Sequence, residues 1–169
     1  SIAFVTVKQF IPNSVYTAQL ARRGQLITHD KDQAVLTLMK LHREIEVDFM
    51  KVDPYDKLGD LVRVISKSKR NLFPVINEES KLMGIIHLDD IRDIIFNPSM
   101  YETTRVENLM IMPPEYVDLN ESMESVMNKF ELTGVWNLPV LNDEKYLGFV
   151  SKSKIFSAYR KLLVQFSEH

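Results

Sequence analysis

The sequence predicts an α/β fold made of two copies of one helix–strand–strand–helix unit. A motif spanning residues 72–87 recurs at residues 137–151, with a Pro-Val pair in its first apolar run and a glycine in its second. A helical pattern of apolar residues precedes each motif, and another follows it. Because a sheet of two short strands buries little surface by itself, we expect the copies to pack around a pseudo-twofold axis.

The helix ahead of each motif is predicted from apolar residues that recur at helical spacing and form one stripe. These residues are Leu58, Leu61, Val62 and Ile65 in the first copy and Met123, Val126, Met127 and Phe130 in the second. Short polar residues that can cap free N–H groups stand near the helix starts, namely Asp56 in the first copy and Asn120 or Ser122 in the second.

Each motif itself predicts two short strands, because two apolar runs flank a turn rich in Asn and acidic residues. Helices are predicted to follow over residues 89–96 and 153–163. Residues 97–105 form the linker between the copies, where Pro98 and small polar residues stop the preceding helix.

The composition excludes several functional classes. The 169-residue chain carries 21 basic and 23 acidic residues, so its charge gives no general attraction for nucleic acid. It contains no cysteine, which excludes disulfides, Cys-based zinc sites and thiol nucleophiles. Its 5 glycines are scattered rather than grouped in a phosphate-binding loop, and no Ser-His-Asp order is present. The sequence therefore predicts no catalytic residue and a protein that is not an enzyme.

The start of the chain differs in charge from the rest. Up to residue 29 the only formal charges are basic, at Lys8, Arg22 and Arg23. A helix follows, with Asp30 or Asp32 placed to cap it. Helix capping explains the grouping of these acids with His29 better than a metal site does, so no metal is predicted.

The repeated Pro-Val strand, turn and glycine-containing strand resemble the CBS domain, over about residues 47–166. The resemblance implies two β-α-β-β-α repeats, residues 47–104 and 105–169, packed as a tandem pair. It also implies a regulatory module that binds an adenine nucleotide (ATP, ADP or AMP) between the repeats, with no further cofactor. CBS pairs commonly associate as dimers, so a homodimer is expected.

Residues 9–24 resemble the last membrane helix of CLC chloride channels and transporters and the linker after it. The resemblance assigns residues 1–28 to the end of that helix and its linker, and residues 29–46 to a linker helix. It implies that Tyr16 coordinates chloride in the full-length protein and that the membrane channel domain of the same chain is a partner. The CBS pair would then lie at the cytoplasmic face of the membrane and modulate a chloride channel or a chloride/proton antiporter. The alternatives are a purely structural dimerisation module without a ligand, and a CBS sensor of another transporter or of an enzyme.

The CBS ligand signature is Gly, two apolar residues, Thr or Ser, two residues and then Asp, in which the hydroxyl reaches a phosphate and the carboxylate accepts from the ribose hydroxyls. The first copy keeps the carboxylate as Asp90 but has His87 at the hydroxyl position. The second copy keeps Ser151 but has Lys154 in place of the acid. Neither copy of the signature is complete.

Of the two clefts that the resemblance implies, one pairs Lys154 with Arg70, where an aromatic residue is expected; a lysine cannot accept from ribose, so nucleotide binding is predicted to be lost there. The other combines Asp90 and His87 with Val135 and Trp136, whose indole would stack on adenine. The alternative is that Trp136 is a core residue and that Asp90 only caps a helix.

Overall fold

The computed structural model describes residues 29–167, with side chains described from Gln33 onward. These residues fall into two compact units. Residues 40–156 form one unit, and the described residues 29–39 and 157–167 belong to the other. The elements are, in chain order, α1 (His29–Leu38), α2 (Leu41–Glu44), α3 (Leu58–Lys67), β1 (Leu72–Ile76), β2 (Leu82–His87), α4 (Leu88–Ile91), β3 (Val117–Asp118), α5 (Met123–Thr133), β4 (Asn137–Asn142), β5 (Lys145–Ser151) and α6 (Lys152–Ser167).

The two predicted strand pairs are confirmed, and they share one register. β1 pairs antiparallel with β2, and β4 pairs antiparallel with β5. The glycines of the two motifs occupy equivalent positions, since Val75 lies opposite Gly84 and Val140 lies opposite Gly148. An irregularity follows this pair in both hairpins. The α/β fold with two equivalent repeats is therefore present.

A parallel neighbour extends each hairpin on its other edge. Val117 of β3 pairs in parallel with Val140 of β4. In the first repeat, Val52 takes the equivalent place: its N–H donates to the Pro74 carbonyl at 3.0 Å, and its carbonyl accepts from the Ile76 N–H at 2.8 Å.

The repeats also exchange short extended segments across their boundary. Glu46, which precedes the first repeat's helix, pairs with Phe149 of β5 through backbone hydrogen bonds of 2.7 and 3.0 Å. Ile111, which precedes the second repeat's helix, pairs in the same way with Ile85 of β2, through two bonds of 2.8 Å. Each hairpin is thus completed by a segment from the other repeat. We call residues 45–49 and 110–114 the exchanged segments.

The side chains at this boundary form a shared apolar core. Phe149 is fully buried, and its ring centroid lies 4.7 Å from that of Phe49 and 5.7 Å from that of Tyr146. The buried members of this shared core come from both repeats: Phe49, Leu72, Ile76, Ile85, Tyr146 and Phe149. A second core lies in the first repeat, around Leu58, Leu61, Phe73, Val75 and Ile86. Burial of this apolar surface is the main force that holds the two repeats together.

The helix signals were partly correct. Ser122 is the N-cap of α5, and its side chain accepts a hydrogen bond from the Ser125 N–H at 3.2 Å. One of the two capping residues predicted for this helix is therefore confirmed. The prediction for Asp56 is wrong: its carboxylate accepts from the Asp53 N–H, while Asp60 accepts from the N–H of Lys57, the N-cap of α3.

The helix predicted over residues 89–96 is also interrupted. It begins as α4 and resumes as a 3-10 turn at Ile94–Phe96. The Tyr101 hydroxyl donates to the Ile95 carbonyl, and Pro98 excludes further helix because it lacks an N–H and restricts the residue before it. The second equivalent helix, α6, continues without interruption to Ser167.

We expect Gly148→Ala to destabilise the pair by about 1–3 kcal/mol, because the new Cβ would lie 2.5 Å from the Glu46 carbonyl oxygen. Gly84→Ala should cost less, since the nearest atom, at 2.8 Å, is the Sδ of a flexible methionine, Met110. Urea unfolding of both variants against the wild type measures this difference. Equal stability of Gly148→Ala and wild type would contradict the exchange of segments.

Candidate functional site

A network of charged side chains fills one of the two clefts. The Arg70 guanidinium forms two hydrogen bonds with the Asp48 carboxylate, Nε to Oδ2 at 3.0 Å and Nη2 to Oδ1 at 2.7 Å. Its Nη2 also lies 3.3 Å from Glu46 Oε2. The guanidinium stands 4.5 Å above the centroid of the Phe49 ring. We call Glu46, Asp48, Arg70 and Lys154 the Arg70 cleft.

The local backbone explains why these groups meet. Glu46 and Asp48 alternate along an extended segment, so their side chains point to the same side. Phe149 holds this segment through the backbone. Arg70 is fixed just before β1 by Ser68, whose Oγ accepts from the Arg70 N–H at 2.9 Å.

Electrostatics bind this cleft together. The hydrogen bonds from Arg70 hold the pKa of Asp48 below its usual range, and the charge of Lys154 adds to this effect. The Asp48 carboxylate in turn raises the pKa of Arg70. The Glu46 Oε2 atom is buried and lies outside hydrogen-bond geometry, so its contact with Arg70 is electrostatic. Arg70 therefore pairs with both carboxylates, while Lys154 acts on Asp48 through its charge.

The residues predicted to bind the nucleotide's ribose and phosphate lie where β2 ends. His87 is the last residue of β2, and Asp90 is an exposed residue of α4. Within residues 33–167, neither side chain has a hydrogen bond or an ion pair, whereas the adjacent Asp89 is paired with Arg92 at 2.6 Å. The alternative that Asp90 caps the helix is wrong, since α4 has no side-chain cap. Its carboxylate is open to solvent.

The residues predicted beside adenine precede β4. Trp136 is 67% exposed, so the alternative that it belongs to the core is wrong. Its carbonyl accepts from the Lys152 N–H at 2.8 Å, and the Lys152 ammonium lies 5.5 Å from the centroid of its ring. Val135 is half-buried. Among the described side chains, no hydrogen bond or ion pair joins Asp90 or His87 to Val135 or Trp136.

The sequence analysis missed two residues of the Arg70 cleft, Glu46 and Asp48. Their signal was present, because two acids that alternate in an extended segment share one side, where one cation can pair with both. It could not identify that cation. Arg70 is more than twenty positions away, and the parallel pairing of Val52 with Val75 in the same repeat sets the two stretches side by side.

Comparison with known proteins agrees with this architecture. The sequence model of the CBS domain family matches residues 43–97 and 106–161 of this chain. The chain belongs to the CBS domain family. It is 27% identical over 129 residues to a CBS domain-containing protein of Methanocaldococcus jannaschii, which covers 74% of this chain and 98% of that protein.

Solved structures of similar fold include CbpB in complex with c-di-AMP, with a TM-score of 0.67 and 19% identity, covering 82% of this chain and 96% of that chain. They also include the CBS domain of a CBS domain-containing membrane protein from Sphaerobacter thermophilus, with a TM-score of 0.61 and 17% identity, covering 83% of this chain and 96% of that chain. At these identities the likeness shows the shared CBS fold. CBS domains are generally regulatory, so this chain carries a CBS pair of regulatory type.

The prediction for Tyr16, with the assignment of residues 1–28 to a membrane helix and linker, lies outside the described residues. In residues 29–167, no helix combines the length and the apolar run needed to cross a bilayer. Where side chains are described, no group of three or more His, Asp or Glu residues is arranged to hold a metal ion.

The Asp48–Arg70 pair makes the stability of the protein depend on pH. Because the folded-state pKa of Asp48 is lowered, its stabilising effect is complete above the ordinary Asp pKa of about 3.9 and is lost as pH falls through the folded value. We expect Asp48→Asn to lower the thermal midpoint near pH 7 and to approach wild type as the pH falls through the lowered folded-state pKa of Asp48. Asp93→Asn, at an exposed residue, is the matched control and should show a flat difference. A pH-independent effect of Asp48→Asn would contradict the ion pair.

Proposed function

We propose that this CBS pair is a sensor that binds an adenine nucleotide in the cleft of Asp90 and thereby regulates a transport protein. The observation that carries the proposal is the opposite chemistry of two structurally equivalent clefts. The first is ionic and closed on itself, with Arg70 and Lys154 facing two carboxylates. Its counterpart, which we call the Asp90 cleft, is apolar with one free carboxylate.

The equivalence follows from the matched registers. Glu46 pairs with Phe149 as Ile111 pairs with Ile85, so Ile111 and Pro113 take the places of Glu46 and Asp48. By the same repeat, Val135 replaces Arg70 and Asp90 replaces Lys154. An apolar wall with a single carboxylate suits a nucleoside, because the base is largely apolar on its faces and the ribose offers two hydroxyl donors.

The side chains assigned to the nucleotide support this assignment, because they are available for contact with a ligand. Asp90 has no intramolecular partner in the described structure, so binding a ribose need not break an existing ion pair. His87, to which we assign the phosphate, is the last residue of β2 and the N-cap of α4. The exposed indole of Trp136 offers a ring face for stacking. CbpB, which shares the fold, is a protein seen with an adenine dinucleotide, c-di-AMP.

The transport protein that we propose is a CLC-type chloride channel or chloride/proton antiporter, with this pair at its cytoplasmic face and paired as a homodimer. The support is the resemblance of residues 9–24 to the last CLC membrane helix, with Tyr16 at the chloride position. A CBS domain is also present in a membrane protein, the CBS domain-containing membrane protein from Sphaerobacter thermophilus. Regulation requires that the nucleotide binds two arrangements of the pair with different affinity.

We expect ATP, ADP or AMP to bind saturably in isothermal titration calorimetry. Asp90→Ala should weaken binding about 10- to 100-fold, because it removes charge-assisted hydrogen bonds to ribose. Asp89→Ala is the matched control: this neighbour also carries a carboxylate, but it is already paired with Arg92. Equal losses in both variants would contradict the role of Asp90. No heat at millimolar nucleotide would favour a purely structural dimerisation module.

For the CLC assignment, we expect the full-length protein containing this chain to carry chloride flux in reconstituted vesicles, and ATP to change that flux. Deletion of residues 47–169 should abolish the response to ATP, because the sensor is removed. Surface labelling and gel filtration of the truncated protein control for insertion and folding. An inserted, folded truncation with unchanged transport and an unchanged ATP response would contradict regulation by the pair, and absence of anion flux in the full-length protein would contradict the CLC assignment.

A further inference from the structure

We propose that the Arg70 cleft is a permanent latch closed by its own side chains, so that the pair takes one ligand per chain. The latch is inferred from the ion pairs themselves, while the position of the single ligand rests on the proposed function of the Asp90 cleft. The two repeats would thus share one fold, but only one of the two clefts would bind a ligand.

Two nitrogens of the Arg70 guanidinium, Nε and Nη2, and one face of the group are engaged by neighbouring side chains. Nε and Nη2 bind the two oxygens of Asp48, and Nη2 also faces Glu46. One face of the group lies on the Phe49 ring, at 4.5 Å. A planar guanidinium held by a two-point carboxylate contact and an aromatic ring is strongly oriented. It fills the position that corresponds to Val135 in the other cleft.

The carboxylates of this cleft are already paired with Arg70, unlike that of Asp90. Asp48 accepts both hydrogen bonds from Arg70, and the positive charge of Lys154 also acts on its carboxylate. Lys154 itself is a donor at the place where Asp90 stands in the other repeat. A nucleoside would have to compete with Arg70 for these carboxylates, and Lys154 offers it no acceptor.

The latch also fixes one exchanged segment. Glu46 is bound to Phe149 through its backbone and to Arg70 through its side chain, so the segment is tied to β5 and to the residues before β1. The other exchanged segment has Ile111 and Pro113 at the equivalent places, and Val135 cannot form an ion pair with them. Among the described side chains, residues 110–114 therefore make no ion pair of this kind.

Burial makes Arg70 more important than Asp48 within the latch. The Glu46 side chain is 18% exposed, whereas that of Asp48 is 65% exposed. Loss of Arg70 leaves a half-buried Glu46 carboxylate without its cation, which is costly. Loss of Asp48 removes an exposed partner, which is mostly screened by water.

The first test is a double-mutant cycle of Arg70→Met and Asp48→Asn, measured by thermal unfolding of the 169-residue chain. Methionine keeps an apolar contact with Phe49 while the charge is removed. We expect Arg70→Met to lower the midpoint by about 2–4 °C, Asp48→Asn to lower it less, and the double variant to match Arg70→Met. Additive effects would overturn the latch.

The second test follows the backbone of the tied segment by amide hydrogen exchange. The Glu46 and Phe149 amides, which bond across the repeats, should exchange faster in Arg70→Met. The Ile85 and Ile111 amides, which form the equivalent backbone pairing between the repeats, are the internal control. Their hydrogen-exchange rates should stay as in the wild type. Unchanged exchange at Glu46 and Phe149 would overturn the latch even if the midpoint falls.

The third test counts ligands by calorimetry with ATP and AMP. We expect one site per chain, retained in Lys154→Ala and Arg70→Met and weakened in Asp90→Ala. Two sites per chain, or a site lost in Lys154→Ala and kept in Asp90→Ala, would overturn the latch. Absence of nucleotide binding in the wild type contradicts the proposed function instead. The double-mutant cycle and the amide hydrogen exchange then test the latch without reference to any ligand.

Discussion

The structure depends on a reciprocal exchange of two extended segments between the repeats. Each hairpin is completed by backbone hydrogen bonds to a segment of the other copy, Glu46 on Phe149 and Ile111 on Ile85. The close approach of these backbones explains the repeated glycine, since a Cβ at Gly148 or Gly84 would meet the exchanged segment at 3.0 Å or less. Neither copy is complete alone, because its unpaired strand edge and its apolar face would both be open to water.

The same exchange brings residues of both copies to each cleft. A segment that is bound to the opposite hairpin places its alternate side chains beside the residues that precede the Pro-Val strand of its own repeat. One backbone arrangement therefore gives two equivalent clefts, and their chemistry is set only by which side chains stand at matching positions. In one cleft these are two acids and two bases, and in the other they are apolar groups and a single acid.

Such an asymmetric pair has a consequence for regulation. A ligand shifts a conformational equilibrium only by the difference in its affinity for the two states. If one cleft is held by internal ion pairs and the other is open, a ligand acts on one exchanged segment and on the hairpin to which that segment is bonded. The shared core of Phe49, Tyr146 and Phe149 lies between the repeats and is the contiguous packed material that would transmit such a change.

The sequence by itself determined the repeats, the strand pairs, the helical stripes and the Ser122 cap, because these depend on local spacing and on side chains a few residues apart. It also located Asp90 and Lys154 at matching positions of the two copies. Only the tertiary structure decided that Glu46 and Asp48 pair with Arg70, that Trp136 is exposed, and that the helix after β2 is interrupted near the Tyr101 hydroxyl. The physical reason is that these features depend on how separate segments pack. Asp48 and Arg70, 22 positions apart, meet beside the Val52–Val75 pairing, and the Tyr101 hydroxyl reaches a carbonyl six residues earlier in the chain.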